Sequence, residues 1–229
     1  MHYPFLLYSK KVKFRPVFPG LQGDPFIADL SINSPLLKGI DVRNQEELQR
    51  ILDEKMGSEY RWGVSPYLER RDTLLGDCLQ MVADKRFIHL GLDVIVDLGT
   101  PLHAPIDATI AESGYESGER NYGGYVLLKH ESPSYETFYS FYGHLRKDRL
   151  PVAGKTFPAG TAFAEIGDFH ENGNWFLHTH IQIITGKGLE MDYVSKGYCT
   201  EKDLVEMNAL CPSPIPMFIV GFQDGLPLT

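Results

Sequence analysis

The run Trp175-Phe-Leu-His-Thr-His-Ile-Gln-Ile-Ile184 decides how this chain is read. Phe176, Leu177, Ile181, Ile183 and Ile184 are apolar or β-branched, a composition that predicts a strand. Side chains alternate across a strand, so residues two apart share a face, roughly 7 Å apart along it. His178, His180 and Gln182 are therefore expected on one face, with Leu177, Thr179 and Ile181 on the other. Two imidazoles on one strand face have two chemical uses. Both bind one metal, or one binds it while the other works on a substrate.

Two further stretches carry the same kind of pattern. In His89-Leu-Gly-Leu-Asp93 the strand period lines up His89, Gly91 and Asp93. Leu90, Leu92 and Val94 then face a core, and Gly91 is expected to leave room for an ion between the two polar residues. Tyr142-Gly-His144-Leu145 closes an aromatic strand and places Phe138, Ser140, Tyr142 and His144 on one face.

Around these stretches the chain divides by character. From about residue 86 short strand-like runs follow one another: 87–96, 107–113, 125–131 and 136–142. Turn signals separate them, including Gly99-Thr-Pro101, Asn121-Tyr-Gly-Gly124 and Ser132-Pro-Ser134. No long helix intervenes, so the expected core is antiparallel β. Residues 1–42 read as short strands and loops. Asn44 caps a helix over 45–56, with Glu47 three residues on and Leu48, Ile51, Leu52 and Met56 at helical spacing. Its acidic residues read as a wet face. Thr200 and Asp203 cap a second helix over 201–210, which Pro212 and the later prolines stop. The expected organisation is an accessory segment 1–85 packed on the core, a β domain 86–188 and an extension 189–229.

Composition narrows the function. The 229 residues carry a formal charge of −8, which argues against nucleic acid or an anionic membrane surface as partner. Lys10, Lys11, Lys13 and Arg15 read as a solvated strand face. No run of eighteen apolar residues marks a transmembrane segment. The N-terminus lacks the basic n-region of a signal peptide. The expected location is cytoplasmic as written, or periplasmic or extracellular if a leader has been removed. Cys78, Cys199 and Cys211 form no Cys-x-x-Cys and no disulfide framework, so Cys199 and Cys211 are expected as buried thiols.

Together, His89, Asp93 and one of His178 and His180 make two imidazoles and a carboxylate. That set suits tetrahedral Zn²⁺ with water in the fourth position. The remaining histidines stand ready to take or steer a proton, and the natural reaction is hydrolysis of an amide. The helical zincin motif is absent, because His130-Glu131 and His170-Glu171 both lack the later histidine. Two other classes share parts of the pattern. One is a non-catalytic binding module of the same β fold. The other is a non-haem iron oxygenase, whose two-histidine, one-carboxylate triad sets the carboxylate closer to its histidine than here.

The order His-x-x-x-Asp, Tyr-x-His-Leu, His-x-His over about 86–186 resembles the lysostaphin/LytM-type zinc endopeptidases. Gly99-Thr-Pro-Leu-His-Ala-Pro105 and the Gly-rich stretch 166–174 are similar to the family's turns. The resemblance implies a mainly β, antiparallel sheet or sandwich core of the duplicated-hybrid-motif kind. It implies one Zn²⁺ per chain held by His89, Asp93 and His180, with His144 and His178 acting beside it. It further implies cleavage of a peptide, of the kind found in peptidoglycan cross-bridges or another small-residue peptide. His103, at a position the family commonly fills with an aromatic or aliphatic residue, reads as surface.

Overall fold

The computed structural model describes residue 3 and residues 12–218. Lys10 and Lys11 lie outside them. In chain order the elements are β1 (Phe26–Ile27), α1 (Gln45–Met56), β2 (Gly63–Ser65), α2 (Leu79–Asp84), β3 (Ile88–His89), β4 (Leu92–Ile95), β5 (Pro101–His103), β6 (Ala108–Glu116), β7 (Gly123–Ser132), β8 (Tyr135–Leu145), β9 (Thr156–Phe157), β10 (Ala162–Glu165), β11 (Thr179–Thr185), α3 (Gly186–Glu190), β12 (Tyr198–Cys199) and α4 (Met207–Leu210).

The fold is mainly β. One sheet runs β1-β2-β4-β11-β8-β7-β6-β9, and β5/β10 and β3/β12 form two-stranded sheets. Among the described residues all strand pairings are antiparallel except β1 with β2. Alternation sorts side chains as the strand period requires. Leu92, Val94, Val126, Leu128, Phe138, Tyr142, Ile181 and Ile183 enter the main core on one face. That core is closed by Leu102, Phe163 and Ala164 of the β5/β10 pair and by Phe14, Val17, Phe18 and Trp62 of the N-terminal segment. On the other face, Leu127, Phe141 and Ile184 pack under Met207, Leu210 and Cys211. Each buried side chain of this size is worth about 1.5–3 kcal/mol, so both covers contribute to holding the sheet.

Several elements differ from the sequence expectation. The run 87–96 is two short strands: β3 pairs with β12, while β4 pairs with β2 and β11. Leu90, in the break, bonds its N–H to the Gly197 carbonyl at 2.9 Å and packs with Leu127, Phe141 and Ile184 on the other face instead of beside Leu92. β11 begins at Thr179, so His178 stands just before the strand. Lys13 and Arg15 are exposed but in no strand, because the buried Phe14 and Val17 anchor an irregular segment. Residues 201–206 form a 3₁₀ helix continued by α4, with the Thr200–Asp203 capping box made in both directions. α1 is as expected, with Asn44 Oδ1 accepting from the Glu47 N–H at 3.1 Å. Cys199 and Cys211 are free and buried. His103 is half-buried in β5, with Nδ1 3.4 Å from the Val17 carbonyl.

Candidate metal centre and catalytic cleft

The register of β4 against β11 sets Asp93 opposite His180, and β3 brings His89 alongside. His89 Nε2 lies 2.9 Å from His180 Nδ1 and 3.1 Å from Asp93 Oδ1, and His180 Nδ1 lies 3.3 Å from the same oxygen. All three residues are buried.

Gly91 is needed here for a reason other than the one expected. It does not make room for an ion. A Cβ at Gly91 would stand 2.4 Å from His180 Cε1, so the space is taken by the His180 ring.

The outer nitrogens of the two rings fix the state of the inner ones. His89 Nδ1 lies 3.0 Å from the Pro66 carbonyl, which only accepts, so Nδ1 carries the proton and Nε2 the lone pair. His180 Nε2 lies 3.1 Å from Gln182 Oε1. The Gln182 amide nitrogen donates to the Tyr193 carbonyl at 3.1 Å, which fixes its oxygen toward His180 and leaves Nδ1 as the lone pair. Burial and the nearby Arg71 guanidinium hold the pKa of His89 down to about 3, so the ring is neutral. Burial opposes ionisation of Asp93, but His89 and Arg71 outweigh it and hold that carboxyl well below the usual range.

In these tautomers two nitrogen lone pairs and one carboxylate oxygen face one another, a donor set suited to a cation. Around a tetrahedral zinc, bonds of about 2.0–2.1 Å put neighbouring ligand atoms about 3.3 Å apart, close to the spacing found. The donor set fits one zinc ion.

Beside the triad, the rings of His144 and His178 lie 4.4 Å apart. His144 Nδ1 donates to the Asn172 carbonyl at 2.7 Å and His178 Nδ1 to the Phe176 carbonyl at 2.8 Å. Each ring therefore presents a bare Nε2, and that of His178 is 3.7 Å from Asp93 Oδ1. Burial holds His178 at about 4. Burial, then the His178 ring, holds His144 well below its ordinary value. His144 adopts φ +64, a costly backbone for a residue with a Cβ, and its N–H bonds to the Tyr122 carbonyl at 2.8 Å.

Four of the five, Asp93, His144, His178 and His180, border a cavity of about 570 Å³, whose walls include Tyr122, Trp175, Tyr198, Arg86 and Arg120. Arg86 Nη1, Arg120 Nη1, Trp175 Nε1 and the Tyr122 hydroxyl are buried there without hydrogen-bond partners among the described residues. Arg71, Gln80, Met81 and Asp84 extend the wall from the N-terminal side.

Some contributing residues had roles that the sequence did not disclose. Gln45 Oε1 accepts the Phe176 N–H at 3.2 Å, and Gln49 Oε1 accepts that of Leu177 at 2.6 Å. The polar edge of α1 thereby holds the approach to His178. Their helical spacing was visible, but which loop they meet was not. Gln182 was visible on the histidine face, though its role toward His180 was not.

Residues 87–192 match the model of peptidase family M23. An uncharacterised metalloprotease of Haemophilus influenzae is 36% identical over 95 residues, 42% of this chain, and the chain covers 18% of that relative's length. Among solved structures, a zinc-containing peptidase from Vibrio cholerae is 22% identical with a TM-score of 0.35, over 42% of this chain and 27% of that one. The antimicrobial peptidase lysostaphin from Staphylococcus simulans is 19% identical with a TM-score of 0.41, over 62% of this chain and 48% of that one. The stretch that matches peptidase family M23, residues 87–192, thus contains the whole His89-Asp93-His180 triad.

Proposed function

We propose that this chain is a zinc-dependent endopeptidase that hydrolyses an amide bond in a peptide, with peptidoglycan cross-bridges or a related small-residue peptide as its substrate class. The observation that carries this reading is the convergence of His89 Nε2, Asp93 Oδ1 and His180 Nδ1 beside two histidines with free Nε2 atoms. In this reading His89, Asp93 and His180 hold the metal, while His144 and His178 are catalytic.

Zinc bound by that triad supplies a Lewis acid, which polarises a carbonyl and acidifies water. The chain supplies the rest. His144 and His178 are held neutral by burial, so each can accept a proton at Nε2 during attack and return it to the leaving amine. The carbonyls of Asn172 and Phe176 fix both rings in the tautomer this requires. The unpaired donors of Arg86, Arg120, Trp175 and Tyr122 suit the carbonyl oxygens of a peptide.

The test is metal analysis of the purified chain together with digestion of glycine- and alanine-containing wall peptides. One zinc per chain and new amino termini are expected. A zinc-loaded protein that cleaves no peptide overturns the reading.

A further inference from the structure

Arg71 is among the largest fully buried side chains of the described residues, at 1% exposure. All three nitrogens of its guanidinium donate hydrogen bonds. Nη1 donates to Asp93 Oδ2 at 2.7 Å and to the Tyr198 hydroxyl at 3.1 Å. Nη2 donates to Ser65 Oγ at 2.7 Å, and Nε to Glu69 Oε2 at 2.8 Å. Glu69 is held in turn by the Leu30 N–H at 2.9 Å and the Ser65 hydroxyl at 2.8 Å. Leu30, Ser65, Glu69 and Arg71 all precede residue 87, where the family match begins.

A carboxylate can give a metal one oxygen or both. Here Oδ1 of Asp93 faces His89 and His180, while Oδ2 is bound by Arg71. The same segment holds His89 through the Pro66 carbonyl. It is also laddered to β3: the Leu68 N–H bonds to the His89 carbonyl at 2.7 Å, and the His89 N–H to the Glu69 carbonyl at 3.0 Å.

We propose that Arg71 is a positioning residue for the metal: it holds Oδ2 of Asp93, leaves Oδ1 alone to bind, and makes the segment outside the peptidase domain part of the zinc centre. This rests on the reading that His89, Asp93 and His180 hold zinc. Charge sharpens the argument. A guanidinium beside a dication repels it, and a lone arginine would weaken the site it orders. Glu69, with its side chain 7% exposed, pairs with Arg71 and offsets that repulsion. Asp93, Arg71 and Glu69 together carry one negative charge, so what remains of the arginine's effect is orientation. Partners of this kind outside the ligand set set metal affinity by about 10–100-fold.

The test therefore uses variants that keep the net charge. R71K retains the cation without the fork, and R71M/E69Q removes both charges at once. Each is stripped of metal and checked for folding by thermal melting. Zinc affinity is then measured by competition with a chromophoric chelator, and geometry from the visible spectrum of the Co²⁺ form. The expected result is a zinc Kd raised roughly 10–100-fold in R71M/E69Q, a smaller rise in R71K, and a shifted Co²⁺ band in both. A purely structural role would lower the melting temperature and leave both metal readouts unchanged. That result overturns the proposal. If either variant does not fold, S65A carries the test, because it loosens the guanidinium without removing a charge. A threefold or larger rise in Kd supports the proposal, and an unchanged Kd overturns it. A wild type that binds no zinc defeats the underlying zinc reading instead, an outcome distinct from equal binding by wild type and variants.

Discussion

Oε1 of Gln182 lies 3.1 Å from Nε2 of His180, two residues earlier on the same face of β11. That contact decides which nitrogen of His180 keeps its proton, and so which one faces His89 and Asp93. Replacing Gln182 by Leu leaves the imidazole free to flip or change tautomer. Zinc affinity should fall roughly 10–100-fold. Chelator competition on the variant and the wild type measures this. Equal affinity in Gln182→Leu and wild type would show that His180 is oriented by something else.

Ligand and proton-handling histidines should fail differently. His180→Ala removes one of three donors, so both zinc and hydrolysis should be lost. His144→Ala and His178→Ala leave the triad whole, so zinc should stay while turnover falls by about two to four orders of magnitude. If the two residues serve one transition state, the double variant should be little worse than either single one. Metal content and peptide cleavage on the four proteins decide the matter. Zinc lost from His144→Ala but kept by His180→Ala would reverse the roles.

Gly91→Ala tests close approach. The added Cβ would fall 2.4 Å from Cε1 of His180, so the ring or the strand must move. A stability loss of about 1–3 kcal/mol is expected, as for overpacking in a well-filled interior. Weaker zinc binding should accompany it. Denaturant melts with and without zinc report both quantities, and a variant that melts like the wild type and binds zinc equally would contradict the geometry.

His130 should make stability depend on pH, away from the metal site. Its Nε2 is 2.7 Å from Ser140 Oγ and its Nδ1 is 3.2 Å from the Asp107 carbonyl. Burial lowers its pKa to about 4. The unfolded chain, with a histidine near 6.5, takes up a proton that the folded chain refuses. Stability is thus full above about pH 6.5 and falls as the pH drops toward 4. The loss from this residue is about 2.5 kcal/mol between pH 7.5 and 4.5. Denaturant melts of metal-free wild type and His130→Gln at the two pH values should show a smaller pH difference in the variant. An identical difference would rule His130 out as the cause.

What the sequence determined by itself was the local pattern and its chemistry. β-branched and aromatic runs specified β7, β8 and β11, because alternation is a property of the strand itself. The Asn44 cap and the spacing of Leu48 and Leu52 specified α1 for the same local reason. The residue types at 89, 93, 144, 178 and 180 pointed to metal-assisted hydrolysis because imidazole and carboxylate are the ligands zinc prefers.

The tertiary structure decided everything that depends on what a distant segment brings. No local pattern singles out Arg71, yet pairing across 22 residues buries it on Asp93. Pro66 orients His89 through a backbone carbonyl, a group that every residue possesses and no sequence distinguishes. Gly91 was legible as a gap, but only the register of β4 with β11 shows that the His180 ring fills it. Gln45 and Gln49 look like ordinary helix polars until residues 176 and 177, about 130 positions later, supply the N–H groups they accept. Periodicity assigns a side chain to a face; only long-range packing determines what that face meets.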